Sequence, residues 1–287
     1  MGRIVYSILG GDARQRECAN ILAAEGNSVM VYGIDQEFDN RNIKVFNILN
    51  QHFFDCDVLM LPIPYKNNKG YINHVKGIRN LTLSDFVDLI QPTTNLVLGK
   101  ADVEVRKTSD VYGFKYFDLL ADEAFAILNS IPSAEGAIQR AMEKTDITIH
   151  GAKVLVLGYG RLGKTLARML DGIGANVTVE ARNSHDIAWI IESGYMGVTL
   201  DKIDTILHEQ DIIFNTIPAL ILDKNKLAKL KNSATVIDLA SYPGGVDFKA
   251  AEELGIQASL ELSLPGIVAP KAAAKIICMR MKDLIKD

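Results

Sequence analysis

Gly158-Tyr159-Gly160-Arg161-Leu162-Gly163 is a G-x-G-x-x-G run, and the chemistry of that spacing is the binding of a pyrophosphate. Alone the motif is weak, because a glycine turn in an α/β domain needs no ligand. Its setting strengthens it: the apolar strand pattern Val154-Leu155-Val156-Leu157 precedes it, and a helical pattern from Lys164 to Asp171 follows. A strand that enters a helix at such a turn aims amide N–H groups and the positive end of the helix dipole at an anion. Gly158 permits the tight turn, Gly160 lets the backbone approach phosphate, and Gly163 lets the helix lie close on the strand.

The next strand pattern ends Val179-Glu180-Ala181-Arg182-Asn183-Ser184 and bears on the choice of dinucleotide. An acid at this point accepts the ribose 2′-OH of NAD, whereas an arginine accommodates the 2′-phosphate of NADP. Both are present. Strand alternation puts Glu180 and Arg182 on one face, where mutual neutralisation is the plain structural alternative. Arg182, Asn183 and Ser184 together offer a compact set of donors, so the expected cofactor is NADP, with NAD the alternative. Two further turns at strand ends, Thr216-Ile217-Pro218 and Asp238-Leu239-Ala240, are expected to border the same ligand.

These residues need elements to position them, and the sequence supplies two sets. Ile4 to Gly33 and Ala152 to Ala181 have the same plan: apolar run, glycine turn, amphipathic helix, glycine, second apolar run. Each reads as a βαβ unit, so the expected fold is α/β, with two doubly wound Rossmann-like lobes of parallel strands and a cleft between them. Where the second copy has Gly160 and Gly163, the first has Asp12 and Gln15. A carboxylate there repels phosphate, so one dinucleotide is expected, in the second lobe.

Further strands are expected at Val58–Leu61, Asn95–Leu98, Ile212–Asn215 and Val236–Asp238. The run from Asn129 to Gly136 carries Pro132 and Ser133 ahead of an apolar helical pattern reaching about Lys144, which predicts a linker helix capped near Ser133. Pro270 suits the first turn of a last helix, with Ala273, Ile276, Ile277 and Leu284 on one face. It is expected to return to the first lobe. The expected division is therefore residues 1–130 with 270–287 for the first lobe, and 131–269 for the cofactor lobe.

Other chemistries are poorly served. Cys18, Cys56 and Cys278 are scattered and read as reduced structural thiols, and His52, His74, His150, His185 and His208 form no pair at metal-ligand spacing. No protein-bound metal is expected. A net charge of −4, with 31 basic and 35 acidic residues interspersed, gives no basic stripe for nucleic acid. No apolar run is long enough to span a bilayer and no leader pattern precedes the first strand, so a cytoplasmic protein is expected.

Over nearly its whole length the sequence resembles the dipicolinate synthase A subunits of spore-forming bacteria. The likeness is carried by Gly10-Gly11-Asp12-Ala13-Arg14-Gln15, the Asn129–Gly136 run, Thr148-Ile149-His150-Gly151, Asn215-Thr216-Ile217-Pro218, Pro243-Gly244-Gly245 and Leu264-Pro265-Gly266-Ile267-Val268-Ala269-Pro270-Lys271. The resemblance implies an NADP-dependent oxidation yielding pyridine-2,6-dicarboxylate in the mother cell of a sporulating bacterium. It also implies a flavoprotein-like partner, the B subunit of dipicolinate synthase; a homo-oligomer is expected too. An alternative role is a dinucleotide-binding component that senses redox state for that partner.

A dianionic, flat substrate needs donors at two carboxylates and accurate placement rather than a strong base, because aromatisation drives the reaction. Arg14, at a helix start in the first lobe, is the first candidate for a carboxylate clamp, followed by Ser130, Ser133 and Lys271. Ser133 and Glu135 are the catalytic candidates, with Glu135 accepting the released proton. A surface arginine, capping serines, a solvated lysine and a first-turn acid are the corresponding structural readings. There is a more distant likeness to D-2-hydroxyacid dehydrogenases. Their catalytic arginine and histidine positions are taken here by Ser241 and Gly266, which argues against simple hydroxyacid oxidation.

Overall fold

The computed structural model describes residues 3–34, 37–73, 75–77 and 80–286; His74 lies outside them. The chain forms two compact units, one of Met1–Asn129 with Pro265–Asp287 and one of Ser130–Leu264. These bounds lie within about five residues of the division expected at 130/131 and 269/270.

The first unit has a six-stranded parallel sheet in the order β3-β2-β1-β4-β5-β6. The strands are β1 (Val5–Leu9), β2 (Ser28–Tyr32), β3 (Ile43–Phe46), β4 (Val58–Met60), β5 (Asn95–Leu98) and β6 (Lys115–Asp118). Its central strands are mostly apolar because both faces are covered, and the buried Ser7 of β1 donates to the Phe53 carbonyl at 2.6 Å. On one face Leu9, Met30, Leu59 and Leu96 pack with Phe53, Phe54 and Phe86. On the other, Tyr6, Ile8, Val29 and Met60 meet helix α1 (Ala13–Ala24) and the last helix of the chain. Two further helices, α2 (Gln51–Phe54) and α3 (Val103–Tyr112), pack on the first of these faces through Phe53, Phe54 and Val105.

The second unit repeats the design, in the order β12-β11-β10-β7-β8-β9. Its strands are β7 (Lys153–Leu157), β8 (Asn176–Glu180), β9 (Met196–Val198), β10 (Ile212–Asn215), β11 (Thr235–Asp238) and β12 (Gln257–Leu260). The linker helix α4 (Glu123–Lys144), whose first residues belong to the first unit, comes first, then α5 (Arg161–Ile173), α6 (Ser184–Glu192), α7 (Lys224–Leu227) and α8 (Phe248–Leu254). The short α9 (Leu264–Val268) leads into α10 (Pro270–Lys286). α10 lies on α1, where the buried Ala274, Ile277, Cys278 and Met281 face Cys18, Ala19 and Leu22. No helix among the described residues is long and apolar enough to cross a membrane.

The linker helix corrects the sequence reading. It starts ten residues before Ser133, at a cap made by Asp122, whose carboxylate accepts the Phe125 N–H at 2.8 Å and is held by Arg280 at 2.9 Å. Pro132 lies inside it and offers no N–H to the preceding turn. Burial outweighs that loss: Phe125 on the early part, then Ala134, Ala137, Ile138 and Ala141, are all buried. Ser133 is therefore an interior helical residue and not the start of the helix.

Candidate dinucleotide site

In both sheets the strand order reverses beside the first strand of the unit, at β1/β4 and at β7/β10. Open α/β sheets bind ligands at the carboxyl ends of the strands at such a reversal. At β7 the chain leaves Leu157 through Gly158, whose φ is +95° and whose Cβ would lie 2.5 Å from Thr216 Oγ1. Gly163 is fixed by packing, since a Cβ there would lie 2.0 Å from the Gly158 carbonyl oxygen. Gly160 differs from both. It precedes α5 with no side-chain cap, and a Cβ added to it meets nothing within 4 Å. The space beside Gly160 at the start of α5 is therefore open, as the close approach of an anion to a helix start requires.

A cavity of about 320 Å³ adjoins this turn. Gly158, Tyr159 and Gly160 form one wall, Glu180, Ala181, Arg182 and Asn183 a second, and Thr216, Ile217 and Pro218 a third. Arg161 and Leu162 begin α5, and Ser184 begins α6. The Asn183 carboxamide is already committed as the cap of α6: its oxygen accepts the Asp186 N–H at 2.7 Å and its nitrogen donates to the Asp186 carboxylate at 2.8 Å. It is not the free phosphate donor expected from the sequence. Arg182 is exposed at the cavity. Asp186, which sequence reasoning passed over, also lines the cavity; the Asn183-to-Asp186 capping spacing was the available signal.

Asp238, Leu239 and Ala240 do not line the cavity. Asp238 is fully buried; one of its oxygens accepts Asn215 Nδ2 at 2.8 Å and the Ala240 N–H at 3.1 Å, and the other accepts the Gly245 N–H at 2.7 Å. Asn215 also donates to the Ile217 carbonyl and accepts the Ile217 N–H. This buried bracket fixes the ends of β10 and β11, and so holds the Thr216–Pro218 wall. Gly245 admits it, since a Cβ there would lie 2.2 Å from Asn215 Nδ2.

Glu180 is 1% exposed, and one of its oxygens accepts the Gly158 N–H at 3.2 Å. The other is buried without a hydrogen-bond partner. Burial pushes this carboxyl above its usual range, opposed by the Gly158 N–H and the charge of Arg182. An ionised carboxylate with an unpaired buried oxygen is costly, and a ribose hydroxyl is the kind of donor that would satisfy it.

In the matching turn of the first unit the start of the helix is occupied by its own side chains. Asp12 caps α1, accepting the Arg14 N–H at 2.9 Å, while Gln15 Oε1 accepts the Asp12 N–H at 3.0 Å. Arg14 is not a free carboxylate fork. Its Nε and Nη2 hold the Asp12 carboxylate at 2.8–3.2 Å, and Nη2 also donates to the Ile63 carbonyl at 2.7 Å, which ties the β1 turn to the loop after β4. Only Nη1 makes no hydrogen bond among the described residues. Gly266 packs on this pair, and a Cβ there would lie 2.8 Å from Asp12 Oδ2. A catalytic histidine at that position has no room.

Ser130 is buried and shares a 2.6 Å hydrogen bond with Thr165 of α5, joining the linker helix to the dinucleotide helix. Ser133 is half-buried and Glu135 exposed on α4; two residues apart on one helix, they do not face the same point. Lys271 is exposed in the first turn of α10. His150 packs on Gly174, with Nδ1 3.0 Å from the Ile173 carbonyl at the end of α5, and the His185 ring accepts the Trp189 indole N–H at 3.1 Å. Among the described residues no group of three or more His, Cys, Asp or Glu is placed to hold a metal ion.

Comparison with known proteins places these features in two families of domains. Residues 5–120 match the N-terminal domain of the dipicolinate synthase A subunit, and residues 125–242 match the NAD-binding domain of D-isomer-specific 2-hydroxyacid dehydrogenases. The chain is 35% identical over 283 residues to the A subunit of dipicolinate synthase of Bacillus subtilis, covering 98% of this chain and 95% of that one. The crystal structure of the Bacillus halodurans A subunit superposes with a TM-score of 0.89 at 34% identity, over all of both chains. D-lactate dehydrogenase of Escherichia coli shares the fold, with a TM-score of 0.62 at 14% identity over 98% of this chain and 96% of that one. The second unit accordingly contains a nicotinamide-dinucleotide-binding domain, and Gly158, Gly160 and Gly163 lie within its matched residues.

Proposed function

The chain belongs to the family of dipicolinate synthase A subunits, and from that membership we propose that it binds NADP and oxidises a dihydrodipicolinate-type ring to pyridine-2,6-dicarboxylate. The observation that carries this reading is the open N-terminus of α5 beside Arg182, in a chain that matches the family from end to end. When bound, the dinucleotide supplies a carbon that accepts hydride. The first amides of α5 hold its pyrophosphate, and Arg182 pairs with the 2′-phosphate. The wall Thr216-Ile217-Pro218, braced by Asn215 and Asp238, fixes the other side of the cavity.

The substrate carboxylates are assigned to Arg14 through Nη1, to Lys271 and to the hydroxyls of Ser130 and Ser133, and the ring proton to Glu135. Placement rather than strong basicity does the work, because the aromatic product drives proton loss. The filled position at Gly266 supports ring oxidation over hydroxyacid oxidation, which needs a base there. The reaction is assigned to the cytoplasm of a sporulating mother cell, with a flavoprotein-like partner completing a complex built on an oligomer of this chain.

Purified chain given NADP and the product of dihydrodipicolinate synthase is expected to form NADPH and dipicolinate, faster when the flavoprotein-like partner is added. No NADPH with or without that partner would remove the catalytic reading. Arg182→Ala is expected to weaken NADP binding by about 1.5–3 kcal/mol, as for a charged hydrogen bond, and to leave NAD binding unchanged. Fluorescence titration of both dinucleotides checks it, and equal losses for the two would place Arg182 outside the phosphate site.

A further inference from the structure

The acid and the arginine that distinguish the two dinucleotides line one cavity here, and only one of them is exposed. Arg182 is solvent-facing, whereas Glu180 is buried, with one oxygen on the Gly158 N–H and the other unpaired. The unpaired oxygen has two ways to be satisfied. As a carboxylate it takes a hydrogen bond from a ribose hydroxyl; as the neutral acid it carries a proton and loses its repulsion for a phosphate beside it.

The surroundings leave that choice to Glu180 itself. In register with it, β7 presents Leu157 and β9 presents Val198, both apolar. The turn after β7 supplies the Gly158 N–H and the phenol of Tyr159, which lies under the Lys164 ammonium at 5.0 Å from its ring centre. The loop after β10 supplies Thr216 and no charge. The charged groups lining the cavity with Glu180 are Arg182 beyond the end of its own strand and Asp186 in the first turn of α6. Asp186 is drawn to the Asn183 amide, so Glu180 is the acid whose charge is least compensated by a neighbouring donor.

We propose that Glu180 sets which dinucleotide the cavity takes: as the carboxylate it receives the ribose 2′-OH of NAD, and as the neutral acid it admits the 2′-phosphate of NADP against Arg182. This inference rests on the dinucleotide reading above and adds a pH-dependent preference to it. Above the Glu180 transition, binding of NADP then takes up one proton at Glu180 and binding of NAD none; below it, NADP takes up none and NAD releases one. The carboxyl lies above its usual range because it is buried, so the neutral form is reached at a higher pH than for a solvated glutamate. NADP is therefore favoured toward acid pH and NAD toward alkaline pH. The 2′-phosphate itself loses charge below about pH 6, which weakens its pairing with Arg182 and acts in the opposite direction.

The test is a titration of the whole chain with NAD and with NADP across about pH 6 to pH 9, above the range of a solvated carboxyl. The Kd of NADP relative to that of NAD is expected to rise on the order of tenfold per pH unit above the Glu180 transition. In Glu180→Gln that rise disappears, NADP binds more tightly than in the wild type at alkaline pH, and NAD binds more weakly. The amide matches the acid in size and removes a buried charge, so the variant is expected to fold. Calorimetry of the wild type above the transition, in two buffers of different ionisation heat, gives an independent reading, one proton taken up per NADP. A flat wild-type ratio without proton uptake, or a slope kept in Glu180→Gln, overturns the inference while leaving the dinucleotide site standing. Failure of both dinucleotides to bind at any pH overturns the site and the inference together.

Discussion

A Gly160→Val chain is expected to fold like the wild type and to bind no dinucleotide. Gly160 has φ −81° and ψ −165°, an extended conformation open to any residue, and a Cβ there meets nothing within 4 Å. The added side chain therefore strains no part of the protein alone. It fills the space over the first amides of α5, where the pyrophosphate has to lie. Losing two charge-assisted hydrogen bonds at about 1.5–3 kcal/mol each weakens affinity by at least roughly a hundredfold. Two companion changes separate this from general damage. Gly163→Ala places a methyl 2.0 Å from the Gly158 carbonyl oxygen and is expected to lower the melting temperature as well as the affinity. Gly10→Ala, at φ +67° in the first unit, costs about 1 kcal/mol of stability and leaves affinity unchanged. Thermal melting and titration followed by the fluorescence of the reduced dinucleotide read both quantities. An affinity within about threefold of wild type in Gly160→Val, or an equal loss in Gly10→Ala, would move the cofactor away from the α5 turn.

What the sequence reveals of this fold follows from where each pattern is buried. Strands β1, β7, β10 and β11 sit centrally in their sheets, so their apolar runs stand out, and the glycine turns after β1 and β7 are legible because strained or crowded backbone demands glycine. The edge strands β3, β6 and β12 are half-exposed and carry polar residues, and the edge strand β9 is only three residues with a central glycine, so none gives such a run. The start of α4 is hidden for another reason. Pro132 signals a boundary locally, and only the packing of Phe125 and the alanines, with the capping by Asp122, shows the helix running through it.

The site divides in the same way. Backbone geometry, meaning the cradle and its three glycines, is readable from spacing; the engagement of side chains is not. Asn183 reads as a phosphate donor until Asp186 is seen to hold it, and Asp238 reads as a ligand contact until it is seen bridging Asn215 and Gly245. Glu180 and Arg182 share a strand face in the sequence, and only the fold shows that one is buried and the other exposed. Gly266 reads as a missing histidine, whereas in the fold it is the room that the Asp12–Arg14 pair needs.

That pair carries the second large effect: Arg14→Ala is expected to destabilise the protein and to raise the KM for the dicarboxylate, leaving dinucleotide binding untouched. The stability loss comes from Asp12. Its side chain is 20% exposed and that of Arg14 7%, so removing the guanidinium leaves a carboxylate poorly hydrated beside the packed Gly266. Breaking a buried pair costs about 3–5 kcal/mol, and the partial exposure of Asp12 puts the expected value at the lower end. The Ile63 carbonyl also loses its donor. Arg14→Lys keeps the charge but cannot reach both Asp12 oxygens and Ile63 with one ammonium, so it falls between wild type and Arg14→Ala. Asp12→Asn in the Arg14→Ala background is expected to recover part of the stability, because the stranded charge is gone. The kinetic effect has a different origin, the one guanidinium nitrogen left without a partner among the described residues, so KM and melting temperature separate the two roles. Steady-state kinetics with the flavoprotein-like partner present, beside thermal melts of the four chains, decide between them. A lowered melting temperature with an unchanged KM would make Arg14 a purely structural tie between the β1 turn and the β4 loop, and would pass the carboxylate to Lys271.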